Sequence, residues 1–319
     1  MNYSFLSDAR NPSFQQGDKL LETIIQDPST KDRFLYLDSE KLSWKKDEAK
    51  KWLASYAKLS ALLLLRAEML GGSPCRGTEL TGLQICNTKS QTRRSLFAFD
   101  QTIAFLVQYT KNSKNSGSDR MIPHALDAFT ATMLISDLVL ARPAAQLFAE
   151  ICQISPPPPP KTLWDEDQQK PIPIAELYHT RIFVNINKEF TTQDITSLLL
   201  KRTKVLYPNG PSRVNLSSWR HISIAIRDKT CPKVKAFLDQ YAKDGQEDSS
   251  VEALQSGHSS HTESHHYARS SSQITAIPEQ LVDGFLKASI RWHHICCTVP
   301  GKSSNLNVTF LKLTLTGGT

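Results

Sequence analysis

The sequence predicts a mainly α-helical (α+β) protein with a small antiparallel sheet, and three observations carry that expectation. Apolar residues recur at helical spacing in several long stretches, among them 46–70, 191–205 and 278–297. A β-prone stretch at 94–124 interrupts them. With 319 residues, of which 39% are hydrophobic, the chain can bury one good-sized core, or a core plus a small appendage.

The remaining bulk properties narrow the class. Net charge is +7 and the pI about 9.0, compatible with a polyanionic partner without demanding one. Cys75, Cys86, Cys152, Cys231, Cys296 and Cys297 form no CxxC pair and follow no signal peptide. They read as reduced thiols of an intracellular protein. Leu62–Leu65 is a short apolar run closed by Arg66, so no stretch approaches the length of a membrane span.

Taken in order, residues 1–45 are polar, weakly patterned and broken by Pro12 and Pro28, with a helix expected near Asp18–Gln26. Trp52, Leu53, Tyr56, Leu59, Leu63 and Leu70 make one face of a core helix that Gly71-Gly72 should end. Ser73-Pro74-Cys75-Arg76-Gly77-Thr78-Glu79-Leu80 follows. Residues 94–109 and 120–123 suggest strands, the later part a hairpin around the Lys111–Arg120 turn. Leu126–Gln153 predicts one or two helices with a break at Pro143. Ser155 and the five prolines 156–160 suggest a stiff connector opening a surface insertion that runs to about Pro173.

Thr180–Asn185 predicts a short strand, and Thr191–Val205 a Thr-capped helix with Ile195, Leu198, Leu199 and Val205 on one side. Ser217, Trp219, Arg220 and His221 open another apolar helix. Pro232–Ala242 predicts a helix before a charged loop. At Gly257-His258-Ser259-Ser260 a capping box of Ser260 and Glu263 predicts a short helix from His261 that carries Tyr267. Pro278–Cys297 predicts a helix with Leu281, Phe285 and Ile290 as apolar positions.

Several of these segments fall in the order of a known family. Cys75-Arg76-Gly77-Thr78-Glu79-Leu80, Arg120-Met121-Ile122-Pro123, Ile182-Phe183-Val184-Asn185, Ser217 to His221, and Gly257 to Tyr267 together resemble the catalytic domain of tyrosine recombinases, the phage-type integrase superfamily. The look is nearest to recombinase-like regions of fungal mobile elements, some of which are fused to RecQ-type helicases. No helicase motif is present here.

The resemblance implies a catalytic domain at 46–297 with a Pro-rich insertion near 155–173, a truncated or missing DNA-clamp domain at 1–45, and an unassigned tail at 298–319. The short N-terminal part is what a fragment or a truncated gene product would leave. The implied activity is DNA strand cleavage and rejoining through a 3′-phosphotyrosine, in recombination or integration of a mobile element. Tyr267 would be the nucleophile. Arg76 and Arg220 would hold the scissile phosphate, Lys111 (Lys114 in reserve) would protonate the leaving oxygen, His258 would donate to the phosphate, and Glu79 would support the site. Ser217 stands where the family has histidine; it donates one hydrogen bond but cannot shuttle a proton as imidazole does. No cofactor and no metal are implied. Expected partners are double-stranded DNA and further copies of the chain on that DNA, with no membrane, in the nucleus; a helicase is expected only of the fused relatives.

Read residue by residue, each of these groups also has a plain structural role: a helix-end arginine, turn lysines, a packing tyrosine. A rival site is zinc. His258, His261, His265 and His266 cluster, as do His293, His294, Cys296 and Cys297; His261 and His265 have the i, i+4 spacing a helix can use for metal, but there is no HExxH and no well-spaced Cys/His quartet. Two further readings remain: a non-catalytic DNA-binding remnant, which Ser217 favours, and a truncated reading frame that does not fold alone.

Overall fold

The computed structural model describes residues 3–38, 41–88, 94–99, 102–109, 120–157, 172–206, 208, 214–230 and 279–301. Within them the protein is mostly helical, with small antiparallel sheets.

The 25-residue helix α3 (Lys46–Leu70) is the axis of the fold. At 1.5 Å per residue it runs about 37 Å, long enough to serve two clusters of apolar side chains. Its first half puts Ala49, Leu53 and Tyr56 into a cluster with Phe148, Leu177 and Tyr178. Its second half puts Leu63, Leu64 and Leu65 against Phe105, Val107, Leu134, Phe183 and Leu199. The stripe read from the sequence is therefore real, but α3 is buried on more than one side: Leu63, Leu64 and Leu65 are all buried, while Leu62 faces solvent.

Residues before α3 are more structured than their composition suggested. Helices α1 (Lys19–Gln26) and α2 (Pro28–Phe34) are followed by a hairpin of β1 (Leu35–Asp38) and β2 (Lys41–Trp44). Asp27 caps α2 by accepting the Thr30 backbone N–H at 2.9 Å. Ile24 and Phe34 are buried in the second cluster, and the Phe34 ring stacks on Phe148 at 5.7 Å. A few well-placed apolar anchors suffice here, and too few residues lie in each element to show a period.

After α3 comes the short helix α4 (Gly77–Thr81), then a three-stranded antiparallel sheet of β3 (Leu96–Phe99), β4 (Thr102–Tyr109) and β5 (Arg120–Ala125), in that order. The hairpin register runs from Ala104↔Ala125 to Tyr109↔Arg120. Ile103, Phe105 and Val107 fill the first cluster, and Ala104 and Leu106 between them are buried as well, so β4 is covered on both faces.

Helix α5 (Ala128–Ser136) continues through a π-helical turn, Asp137–Ala141, into α6 (Arg142–Ile151). Pro143 explains the wide turn. It has no N–H for the carbonyl four residues back, and its ring crowds that carbonyl. The Arg142 backbone N–H instead reaches Asp137, five residues back. Ala128–Ile151 as one helical run is long and apolar enough to cross a bilayer by length and composition, which corrects the expectation that no stretch approaches that length. Here Leu134, Leu138, Ala145 and Phe148 are buried in the two clusters.

The expected strand at Thr180–Asn185 is mostly something else. Thr180 ends helix α7 (Ile174–Thr180), Arg181 makes a single antiparallel bridge to Gln84, and Val184–Asn185 (β6) pairs with Lys188–Glu189 (β7). Ile182 and Phe183 are buried like strand residues, which is what the sequence pattern reported. Helix α8 (Thr192–Leu206) is capped as expected: Thr191 and Asp194 exchange side-chain-to-backbone bonds at 2.8 and 3.2 Å. Ile195 and Leu199 are buried, but Val205 is 71% exposed and does not belong to that face. Helices α9 (Leu216–Thr230) and α10 (Glu279–Ile295) complete the described fold. In α10 Phe285 is buried, Ile290 only partly, and the dominant packing residue is Trp292, with 1% exposed. The chain then pairs Pro300 with Asp127 and gives the Gly301 carbonyl to the Thr102 hydroxyl at 3.0 Å.

Candidate functional site

The C-terminal end of α3 and the loop after it, residues 71–76, form the centre on which α4, α9 and α10 converge. Gly71 closes the helix, donating its N–H to the Ala67 carbonyl at 3.0 Å. Gly72 has φ 100°, the left-handed region open to glycine. This reversal sends Ser73, Pro74 and Cys75 back under the helix end, with Ser73 and Cys75 buried.

Arg76 follows as the N-cap of α4, with extended backbone (φ −76°, ψ 143°). Glu79, three residues on, turns back. Its Oε2 accepts the Arg76 backbone N–H at 3.0 Å, and its Oε1 lies 3.5 Å from Arg76 Nη1. Glu79 therefore fixes both the backbone and the guanidinium of Arg76. Gly77 makes the packing of this turn possible: a Cβ there would lie 2.7 Å from Thr192 Cγ2 and 2.8 Å from Leu216 Cδ2. The first residues of α8 and α9 close directly on it.

Arg220 arrives from α9. Asn215 caps that helix by accepting the Ser218 backbone N–H at 2.8 Å, which fixes the direction of the first turn. Arg220 then points at the loop, and its Nη1 donates to the Pro74 carbonyl at 3.4 Å. Its pKa is pushed down by burial first and by the Arg76 charge second, while Glu79 and Glu68 act in the opposite sense. The two arginines thus sit close enough to feel each other's charge. Ser217, in the first turn of the same helix, is exposed.

Behind the pair lies Glu68, a residue that the sequence reading passed over. It is 1% exposed, in the last turn of α3. Burial raises its pKa well above the carboxylate range, against the pull of Arg220 and the Cys75 backbone amide. Glu79 is also pushed up, again chiefly by burial. An acid standing one turn after Leu64 within the apolar stripe of α3 was the available signal.

Helix α10 holds the loop from the other side. Trp292 Nε1 donates to the Met69 carbonyl at 2.7 Å, His293 Nε2 lies 2.7 Å from the Leu70 carbonyl, and the Ser289 hydroxyl donates to the Gly71 carbonyl at 3.3 Å. These are the carbonyls that a helix end leaves without intrahelical partners. Arg227 of α9 donates to the Ser73 hydroxyl and lies over the Trp292 ring, 5.4 Å from its centroid. His124 of β5 is fully buried beside them, its pKa lowered by that burial to about 4.

The structure therefore brings together four of the residues singled out in the sequence: Arg76, Glu79 and Arg220 in one cluster, with Ser217 one turn away. Lys111, Lys114, His258 and Tyr267 lie outside the described residues, as do Ser260 and Glu263. Among the described residues no group of three or more His, Cys, Asp or Glu side chains is arranged to hold a metal ion. Comparison with family models, with curated proteins and with solved structures gave no match.

Proposed function

We infer that the Arg76–Arg220 centre binds a phosphodiester of DNA and that the chain is a DNA strand transferase of the tyrosine-recombinase type. The observation that carries this is the convergence of the two arginines. They come from segments 146 residues apart at the Pro74 contact, both partly buried, with a carboxylate fixing one of them. Two guanidiniums brought together, beside the carboxylate of Glu79, make a place where an anion is favoured. Two guanidiniums also match the non-bridging oxygens of a phosphodiester and the charge that builds on them in the transition state.

The resemblance read from the sequence supplies the remaining chemistry. The Tyr267 oxygen attacks phosphorus, a 3′-phosphotyrosine bond forms, and the 5′-oxygen leaves with a proton from Lys111. His258 and Ser217 would donate to the phosphate. A 5′-hydroxyl attacking the phosphotyrosine reverses the step and rejoins the strand. The expected setting is recombination or integration of a mobile element in the nucleus, by several copies of the chain on duplex DNA.

A second reading is a DNA-binding remnant that has lost cleavage, and Ser217 in the histidine position favours it. A nicked suicide substrate taken from the DNA flanking the gene separates the two. The transferase gives a denaturation-resistant protein–DNA band that Tyr267→Phe abolishes. The remnant binds the same DNA, in a salt-dependent way, and gives no band.

A further inference from the structure

A groove of about 400 Å³ runs between α3 and α8, and the turn joining β6 to β7 adds to its wall. On α3 it is lined by Ala54, Ala57 and Ala61, spaced three and four residues apart and so on one face. Such small side chains let a second backbone come close. The α3 lining, Ala54 to Leu65, covers about 16 Å of helix, or three turns. On α8 the groove is lined by Leu198 and Lys201. Val205, seven residues after Leu198 and 71% exposed, prolongs the same line into solvent.

The rim is positive on both sides. Lys58 stands on the α3 wall and Lys201 on the α8 wall, both exposed. Among the described residues neither has an ion-pair partner. The acid of the lining, Asp194, is already engaged: Thr191 donates to it from its backbone N–H and its hydroxyl, each at 2.8 Å, and Lys188 Nζ lies 3.8 Å away. An apolar floor between two lysines is complementary to an occupant that is apolar along its middle and acidic along both edges.

Ile186 marks the same place. It lines the groove at φ 51°, the left-handed region that a β-branched residue rarely adopts. The Tyr178 hydroxyl, donating to the Ile186 carbonyl at 2.9 Å, holds this turn in place. Strain of this kind persists where the surroundings enforce it, and it gathers at binding sites.

We propose that the groove docks an amphipathic helix of a partner protein, about three turns long, with large apolar side chains at i, i+4 and i+7 and Asp or Glu on both flanks. Both long walls are helices, whose backbone groups are spent internally, so an extended peptide finds no ladder here. The groove shares no side chain with the arginine centre and does not depend on how that centre is read.

The test is selection of helical peptides from a displayed library against the full chain. Anchor positions vary between apolar residues and Ser, and flanking positions between Glu and Lys. Wild type should enrich apolar anchors with Glu flanks. A selected peptide, remade with a fluorophore, should lose about tenfold or more in affinity for the double variant Lys58→Glu, Lys201→Glu, while its Lys-flanked counterpart gains. Ala54→Trp, at an exposed helix position, fills the groove and should abolish binding with little change in melting temperature. Enrichment of Lys-flanked or anchorless peptides, no enrichment at all, or affinity indifferent to both variants overturns the proposal. Self-association of wild type that Ala54→Trp abolishes would give the groove to a second copy instead. Displacement of the peptide by an equimolar fatty-acid anion would give it to a lipid chain.

Discussion

Arg220 donates to the carbonyl of Pro74, 146 residues earlier in the chain. The contact makes the direction of Arg220 depend on the loop that also carries Arg76. Neither arginine can shift far without moving the other's support, since Ser73 of the same loop is held by Arg227 of the same helix.

If this centre meets DNA phosphate, Arg220→Ala should lower the salt slope of duplex binding by about 1 and weaken binding across all sequences alike. Arg220→Lys should keep most of the slope and lose affinity, because ammonium cannot reproduce the planar fork. Fluorescence anisotropy over a series of salt concentrations measures both. An unchanged slope in Arg220→Ala would remove the arginine from the interface.

Gly77→Ala tests the packing beneath Arg76. The added methyl would meet Thr192 and Leu216 side chains at under 3 Å, and both sit at the starts of helices, where the backbone is fixed by caps. The expected cost is about 1–3 kcal/mol of stability, read as a lower melting temperature. Gly77→Ala should also weaken anion binding, because moving α9 carries Arg220 with it. A variant as stable as wild type would show that α8 and α9 yield freely.

What the sequence disclosed followed from period and punctuation. Helix α3 was readable to both ends because apolar spacing and the Gly71-Gly72 stop agree. The β3–β5 region and the Thr191 cap were legible for the same reason. Arg76, Glu79 and Arg220 could be named, but their meeting is a long-range fact that no local pattern carries. Glu68, Trp292 and Arg227 were missed, and His293 was weighed only as a zinc ligand, because their roles run through carbonyls, rings and buried charge. Thr180 was misread because buried Ile182 and Phe183 look like strand residues in whichever backbone they sit.

Buried His124 makes a prediction about acid stability. Burial, which penalises the imidazolium, lowers its pKa in the folded protein to about 4 from the ordinary histidine value of about 6.5. The unfolded chain therefore binds the extra proton first. This contribution to stability is fully present above about pH 6.5, declines as pH falls, and is lost by about pH 4, an effect on the order of 3 kcal/mol. Glu68 acts in the opposite sense at higher pH: raised in the fold, its contribution falls as pH rises through its folded value. Urea midpoints across this range should show a steep acid limb in wild type and a shallower one in His124→Gln. Equal limbs would mean that His124 is not buried in its neutral form.

Arg142 is, like Arg227, a buried arginine. Arg142 lies at the π-helical turn, with Nη2 3.4 Å from Asp137 and Nη1 3.2 Å from the Tyr178 carbonyl, and it also donates to the Arg181 and Ile182 carbonyls. It thus ties the turn forced by Pro143 to the end of α7 and the chain entering β6. Arg142→Met leaves Asp137 buried without its cation and the carbonyls without their donor, and should cost about 3–5 kcal/mol. Replacing Asp137 as well, by Asn, should recover only part of this. The amide removes the stranded charge but cannot reach the carbonyls that Arg142 served. Chemical denaturation of the two single variants and the double variant measures the coupling. Full recovery in the double variant would show that the carbonyl contacts contribute nothing and that the ion pair alone holds the turn.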